Sequence, residues 1–126
     1  MDLTPPAERR IWRRERDVMI HREVESKLRT LGLTGCYQGY ACLVYAAMLV
    51  DREPEALEMP SKLIYPEIAR LCRLTVGGVD QAIRTAIQVC CRRGGDEVSR
   101  MCNTTGTPSV EQFLAGLASY CGGRQR

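Results

Sequence analysis

Seven cysteines and a single histidine are the residues of this 126-residue chain best suited to hold a metal or to act as nucleophile and base. Their spacing argues against both roles. Cys36, Cys42, Cys72, Cys90, Cys91, Cys102 and Cys121 include no Cys-x-x-Cys pair, and His21 is the only histidine. Most of these thiols fall on apolar helical faces, where free cysteine behaves as a small hydrophobe. Buried thiols in a reducing cytosol are therefore expected, with no metal site. Without a nucleophile–base pair or a phosphate-binding loop, neither an enzyme nor a cofactor is expected.

What remains is the chemistry of hydrogen bonding and charge, and it is concentrated between Ser61 and Arg93. Ile64, Ile68, Leu71 and Cys72 recur at helical spacing, as do Val79, Ala82, Ile83, Ala86, Ile87 and Cys90. Arg73-Leu74-Thr75 between the two runs has the length of a helix-turn-helix corner (residues 61–93). Thr75 is the expected N-cap of the second helix, because its hydroxyl can accept from a free backbone N–H. Small residues (Ala69, Ala82, Ala86) fall where the helices must cross closely, and Leu74 can plug the corner. Arg73 departs from the pattern, since it stands where such turns favour glycine for its positive φ. A DNA-binding corner is the functional reading of this stretch. A plain helical hairpin is the structural one.

Composition bounds the element count around that corner. The length suits one domain, and 44% hydrophobic with 26% charged residues is ordinary for a chain that buries a core. With one Phe and one Trp the core must be aliphatic, and no segment alternates like a strand, so an all-α bundle is expected. The net charge of +3 is mild, but it is unevenly spread. Residues 61–100 carry 7 basic against 4 acidic side chains, and residues 51–60 carry 1 against 4. No apolar leader and no run of 18 apolar residues is present, so a cytoplasmic protein with no membrane span is expected.

Residues 1–19 read as a basic extension, helical from Thr4-Pro5-Pro6, with Arg9, Arg10, Arg13, Arg14 and Arg16 in eight residues. These arginines could touch nucleic-acid phosphates; a solvated helix balanced by Glu8, Glu15 and Asp17 is the plainer reading. Residues 20–121 form the expected domain, and 122–126 a loose tail. Ile20, Val24, Leu28 and Leu31 make one apolar stripe that Gly32 can close. Tyr40 to Val50 is apolar nearly all round, hence the central helix, with Tyr37, Tyr40 and Tyr45 burying rings and keeping hydroxyls at the rim. Asp51 to Pro60 is an acidic connection. Gly94-Gly95 is expected to stop the long helix, Asp96 to cap a short one through Met101, and Pro108 to Tyr120 to form the last, which makes six.

From Ile20 to Tyr120 the chain resembles the family of C-terminal effector domains of the sporulation initiation response regulator, sporulation stage-zero protein A. The resemblance rests on Gly39-Tyr40, on Lys62-Leu63-Ile64-Tyr65-Pro66-Glu67-Ile68-Ala69, on Val79 with Ala82-Ile83-Arg84 and Ala86-Ile87, and on Arg93-Gly94 and Glu111-Gln112-Phe113-Leu114-Ala115. It implies a six-helix bundle that binds double-stranded DNA and controls transcription. The second corner helix would lie in the major groove, two copies would occupy tandem sites, and RNA polymerase sigma factor is a further partner. Where the family reads bases with two arginines around an acidic residue, this chain has Gly78, Asp80 and Gln81. Arg84 and Lys62 match the family.

Two arginine–guanine contacts contribute roughly 2–6 kcal/mol of discrimination, so their absence predicts a different preferred site. Gln81 could read adenine through a paired amide contact. The backbone N–H groups of Gly77 and Gly78 could meet a phosphate at the helix start. The expected reading set is thus Gly77, Gly78, Asp80, Gln81, Arg84 and Thr85. Ser61, Lys62 and Thr75 would hold the backbone, with Arg9, Arg10, Arg13 and Arg14 as helpers. Arg84 has a plainer role as well, an i−4 ion pair with Asp80. The family's phosphoacceptor domain has no room in 126 residues, so an effector domain standing alone is expected. The rival reading is a degenerate corner that serves as a protein-interaction or dimerisation module modulating a full-length relative.

Overall fold

The computed structural model describes residues 15–122, which form an all-α bundle without strands among the described residues. Six α-helices appear in chain order: α1 Glu15–Thr30, α2 Gln38–Arg52, α3 Pro60–Leu63, α4 Tyr65–Cys72, α5 Val76–Cys102 and α6 Val110–Gly122. A 3-10 turn over Pro54–Glu58 joins α2 to α3. Of the expected helical extension over residues 1–19, residues 15–19 are the start of α1, and the rest, with Arg9, Arg10, Arg13 and Arg14, lies outside the described residues.

The apolar run that predicts a central helix does become one. From Cys42 to Met48 every residue of α2 is buried, and α2 packs against α1, α4, α5 and α6. Around it Leu28, Leu31, Leu33, Ile64, Ile68, Ile83, Phe113, Leu114 and Leu117 close an aliphatic core. Burying such side chains stabilises by about 1.5–3 kcal/mol each before conformational entropy is counted. The tyrosines behave as amphipathic residues should: the rings of Tyr40 and Tyr45 are buried, and the Tyr40 hydroxyl donates to Glu25 Oε2 at 3.1 Å. Gly32 closes α1 at φ 91°. None of the seven cysteines forms a disulfide, and burial pushes the Cys90 thiol up to about 12.

Two boundaries refine the sequence expectation. At Gly94-Gly95 the regular helix is interrupted as expected, but the short segment beyond it continues as the same element, α5, instead of starting after a loop. Gly94 takes φ −135° and ψ 44°, the helix kinks there, and helical bonding resumes through Cys102 to a left-handed Asn103. Glycine is needed there, because a Cβ on Gly94 would come within 3.0 Å of the backbone of Leu31, just past the end of α1. Asp96 is accordingly inside a helix and caps nothing. Earlier in the chain, the first corner helix is divided at Ile64. Proline at position 66 has no N–H to donate and its ring opposes the carbonyl of Lys62, so helical bonding must restart. The total stays at six because the two segments that meet at the Gly94 kink count as one element and one expected helix has split. The last helix opens with a reciprocal cap, Gln112 N–H to Ser109 Oγ at 3.1 Å and Ser109 N–H to the Gln112 side chain at 2.9 Å.

Candidate nucleic-acid interface

The corner is built from backbone conformation and one hydroxyl. α4 ends at Cys72, and Arg73 adopts the left-handed conformation at φ 59°, ψ 45°, bearing the strain that glycine would avoid. The Leu74 N–H returns to the Ala69 carbonyl at 2.9 Å, which closes the turn. Thr75 is extended, and its Oγ1 accepts from Gly78 N–H at 2.9 Å. That cap uses the Gly78 N–H that a phosphate could have taken, so the free backbone donors of the first turn are those of Val76 and Gly77. Gly78 is half-buried over Thr75 and Leu74 and belongs to the cap.

Behind the turn, Val79, Ala82, Ile83, Ala86 and Ile87 are buried, which fixes the opposite face of α5 outward. Gly77, Gln81, Arg84 and Thr85 stand on that exposed face. Asp80 does not join them as a free carboxylate. Its Oδ1 accepts from the Tyr65 hydroxyl at 3.0 Å, and its Oδ2 accepts from Arg84 Nε at 2.9 Å. Burial, with the Asp80 carboxylate beside it, holds the Tyr65 hydroxyl well above the usual tyrosine range. A carboxylate fastened to α4 thus grips Arg84 by Nε and leaves the two terminal guanidinium nitrogens unpartnered. The Arg84 side chain is 60% exposed.

The residues expected at phosphates are distributed along the approach to the corner. Ser61 and Lys62 are exposed on α3, which packs on α4, and Thr75 is exposed at the start of α5. Arg9, Arg10, Arg13 and Arg14 lie outside the described residues. A cleft of about 410 Å³ separates Gln81 and Thr85 from Cys36, Tyr37 and Gln38, so the start of α2 forms the second wall beside the exposed face of α5. The same face runs on to Gln88 and Arg92, both exposed, which the resemblance did not point to. Their signal was available, because they follow Gln81 at the i+7 and i+11 positions of one helical stripe. Tyr65 was missed for another reason, since its bond to Asp80 crosses the corner.

A capped helix-turn-helix carried by an all-α bundle, with a polar outward face on its second helix, defines the class of helix-turn-helix DNA-binding domains. The model of one family, described as Sporulation initiation factor Spo0A C terminal, matches residues 24–120. The chain belongs to that family, a DNA-binding domain family of transcription regulation in sporulation and not an enzyme family. No described helix is long and apolar enough to cross a membrane. Among the described residues, no group of three His, Cys, Asp or Glu side chains is placed to hold a metal ion.

Proposed function

We propose that this protein regulates transcription by laying the first part of α5 in the major groove of double-stranded DNA, at a site different from that of relatives with two reading arginines. The observation that carries this reading is the Tyr65–Asp80–Arg84 relay. A guanidinium held by Nε has lost rotational freedom before it meets a base, and its two terminal nitrogens match the paired acceptors of guanine. Arg84 is then the guanine reader, with Asp80 and Tyr65 as its positioning residues. Gln81 is the adenine reader, and Thr85 supplies a hydroxyl or methyl contact beside it.

Ser61 and Lys62 contact phosphates ahead of the corner. Thr75 does so through its hydroxyl hydrogen, which its cap leaves free, and Gly77 through its backbone N–H. Arg9, Arg10, Arg13 and Arg14 add charge at the amino end. A second copy on a tandem site and RNA polymerase sigma factor are the protein partners this reading carries from the family resemblance.

The test is selection from a random duplex pool at two salt concentrations, run in parallel with Gln81→Ala. Steep salt dependence with an enriched motif is expected from the parent protein. The variant should lose preference at one position of that motif, at a cost of about 1–3 kcal/mol there. An unchanged motif would remove Gln81 from the reading set. The interaction-module reading draws on a specific feature: the first turn of α5 has two glycines, and Arg84, the arginine on its exposed face, is already ion-paired with Asp80. Absence of duplex binding at low salt would make that reading the better one.

A further inference from the structure

Most of the basic side chains in the structure are spoken for. Lys27 and Arg100 bond to Glu97, Arg52 pairs with Asp17, Arg70 with Glu67, and Arg84 with Asp80. Arg29 donates to the Tyr40 hydroxyl, and Arg93 donates to the Gly32 carbonyl. Among the described residues only Arg22, Lys62, Arg73 and Arg92 are left without a hydrogen bond or ion pair. Unpaired cations are the ones free to release counterions when they meet phosphate. Arg73 is in the turn just before the reading helix, and Lys62 is on α3 ahead of the corner. Arg92 is at the other end of the same exposed stripe, after Gln81, Thr85 and Gln88.

The spacing along α5 says what Arg92 can reach. At about 1.5 Å per residue, it lies about 16 Å beyond Gln81 on the helix axis. The major groove is about 12 Å wide, and recognition helices present their N-terminal residues to the base edges. With Gln81 at the bases, a side chain that far along the axis is past the base edges and level with the sugar-phosphate backbone. The turn that carries it is fixed. Arg93 donates to the Gly32 carbonyl at 3.0 Å and lies 5.8 Å from the centre of the Tyr37 ring, which ties this turn to the α1–α2 connection. The kink at Gly94 comes only after it.

We infer that Arg92 is a second DNA-anchoring site, a phosphate contact at the far edge of the groove that works against Lys62 and Arg73 at the near edge. The inference rests on the DNA-binding reading above. It gives α5 two fixed ends on the duplex, with the base-reading side chains between them, and so sets how far the helix slides along the groove.

The experiment is a salt titration of binding to the duplex selected by the parent protein, comparing Arg92→Gln with Arg22→Gln. Arg22 is an equally unpaired arginine on α1, a helix that packs on α2 and α6. Losing one phosphate contact should reduce the slope of log affinity against log salt by about 0.9, and weaken binding roughly five- to tenfold in 0.1 M salt. The selected motif should not change, and Arg22→Gln should keep the parent slope. The inference is overturned if Arg92→Gln binds with the parent's slope and affinity. It is equally overturned if Arg22→Gln loses as much, or if Arg92→Gln alters the motif and so marks Arg92 as a base reader. If the parent protein binds no duplex, the DNA reading itself has failed. A parent that selects a motif while Arg92→Gln behaves normally removes only the anchor.

Discussion

Asp80 is held from two sides, by Tyr65 of α4 and by Arg84 of its own helix. The sequence places an acidic residue four before an arginine, and that pairing is legible on any helix. The structure adds Tyr65 on the other carboxylate oxygen, 15 residues back and across the corner. Tyr65→Phe removes this donor and little else, so it should destabilise by about 0.5–1.5 kcal/mol, read as a lower midpoint in urea. The pH dependence has a definite sign. The folded protein holds the Tyr65 proton more tightly than the unfolded chain, whose tyrosines titrate near 10.0. The bond therefore contributes fully below pH 10 and is lost as the pH rises through the raised folded value. The parent should lose part of its advantage over Tyr65→Phe above pH 10; a gap that stays constant through alkaline pH would show that the hydroxyl is not bonded to Asp80.

Among elements, the meeting of α2 with α5 decides how α5 is held. Gly39 lies against the Ala82 carbonyl and the Ala86 side chain, and a Cβ there would collide with both. Gly39→Ala should force the two helices apart and destabilise by about 1–3 kcal/mol. Gly77→Ala should act in the opposite direction. No atom lies within 4 Å of where its Cβ would go, so the better helix former should stabilise by up to about 1 kcal/mol. Thermal melts of the two variants check this; shifts of the same sign would contradict it.

Much of this element layout was legible in the sequence. The apolar run of α2, the corner at Arg73-Leu74-Thr75 and the Thr75 cap follow from local pattern. The interruption at Gly94-Gly95 does as well, whereas the close approach of the Leu31 backbone to Gly94 depends on the fold. The break at Ile64 was readable from Pro66, but its apolar spacing continues across the break and conceals it. Of the candidate site, the outward stripe was recoverable from helical period, whereas the burial of Gly78 in the cap and the engagement of Asp80 required the fold.

Across the whole molecule, the segment of α5 beyond the kink is secured by charge as well as by packing. Lys27 of α1 is only 6% exposed, and its Nζ donates to Glu97 of α5 at 2.8 Å. The same Nζ lies 4.1 Å from the centre of the Tyr120 ring on α6, so three helices share one ammonium. Hydrogen bonds from Lys27 and then Arg100 hold the Glu97 carboxyl at about 2, below its ordinary 4.5. A carboxylate that binds its proton less readily when folded stabilises the fold above the unfolded value, and loses that contribution as the pH falls through the folded one. The window for this cluster is therefore from about pH 4.5 down to about 2. Glu97→Gln leaves the buried Lys27 without its counter-charge, and a buried unpaired ammonium is costly, so the variant should melt below the parent at neutral pH. Once the parent's own Glu97 is protonated, the two proteins present the same uncharged group to Lys27, and their melting temperatures should converge by pH 2. Melts followed by circular dichroism from pH 7 to pH 2 check the argument. A difference in Tm that persists undiminished at pH 2 would mean that Glu97 acts through shape alone, and that α5 beyond Gly94 is held by apolar packing against α6.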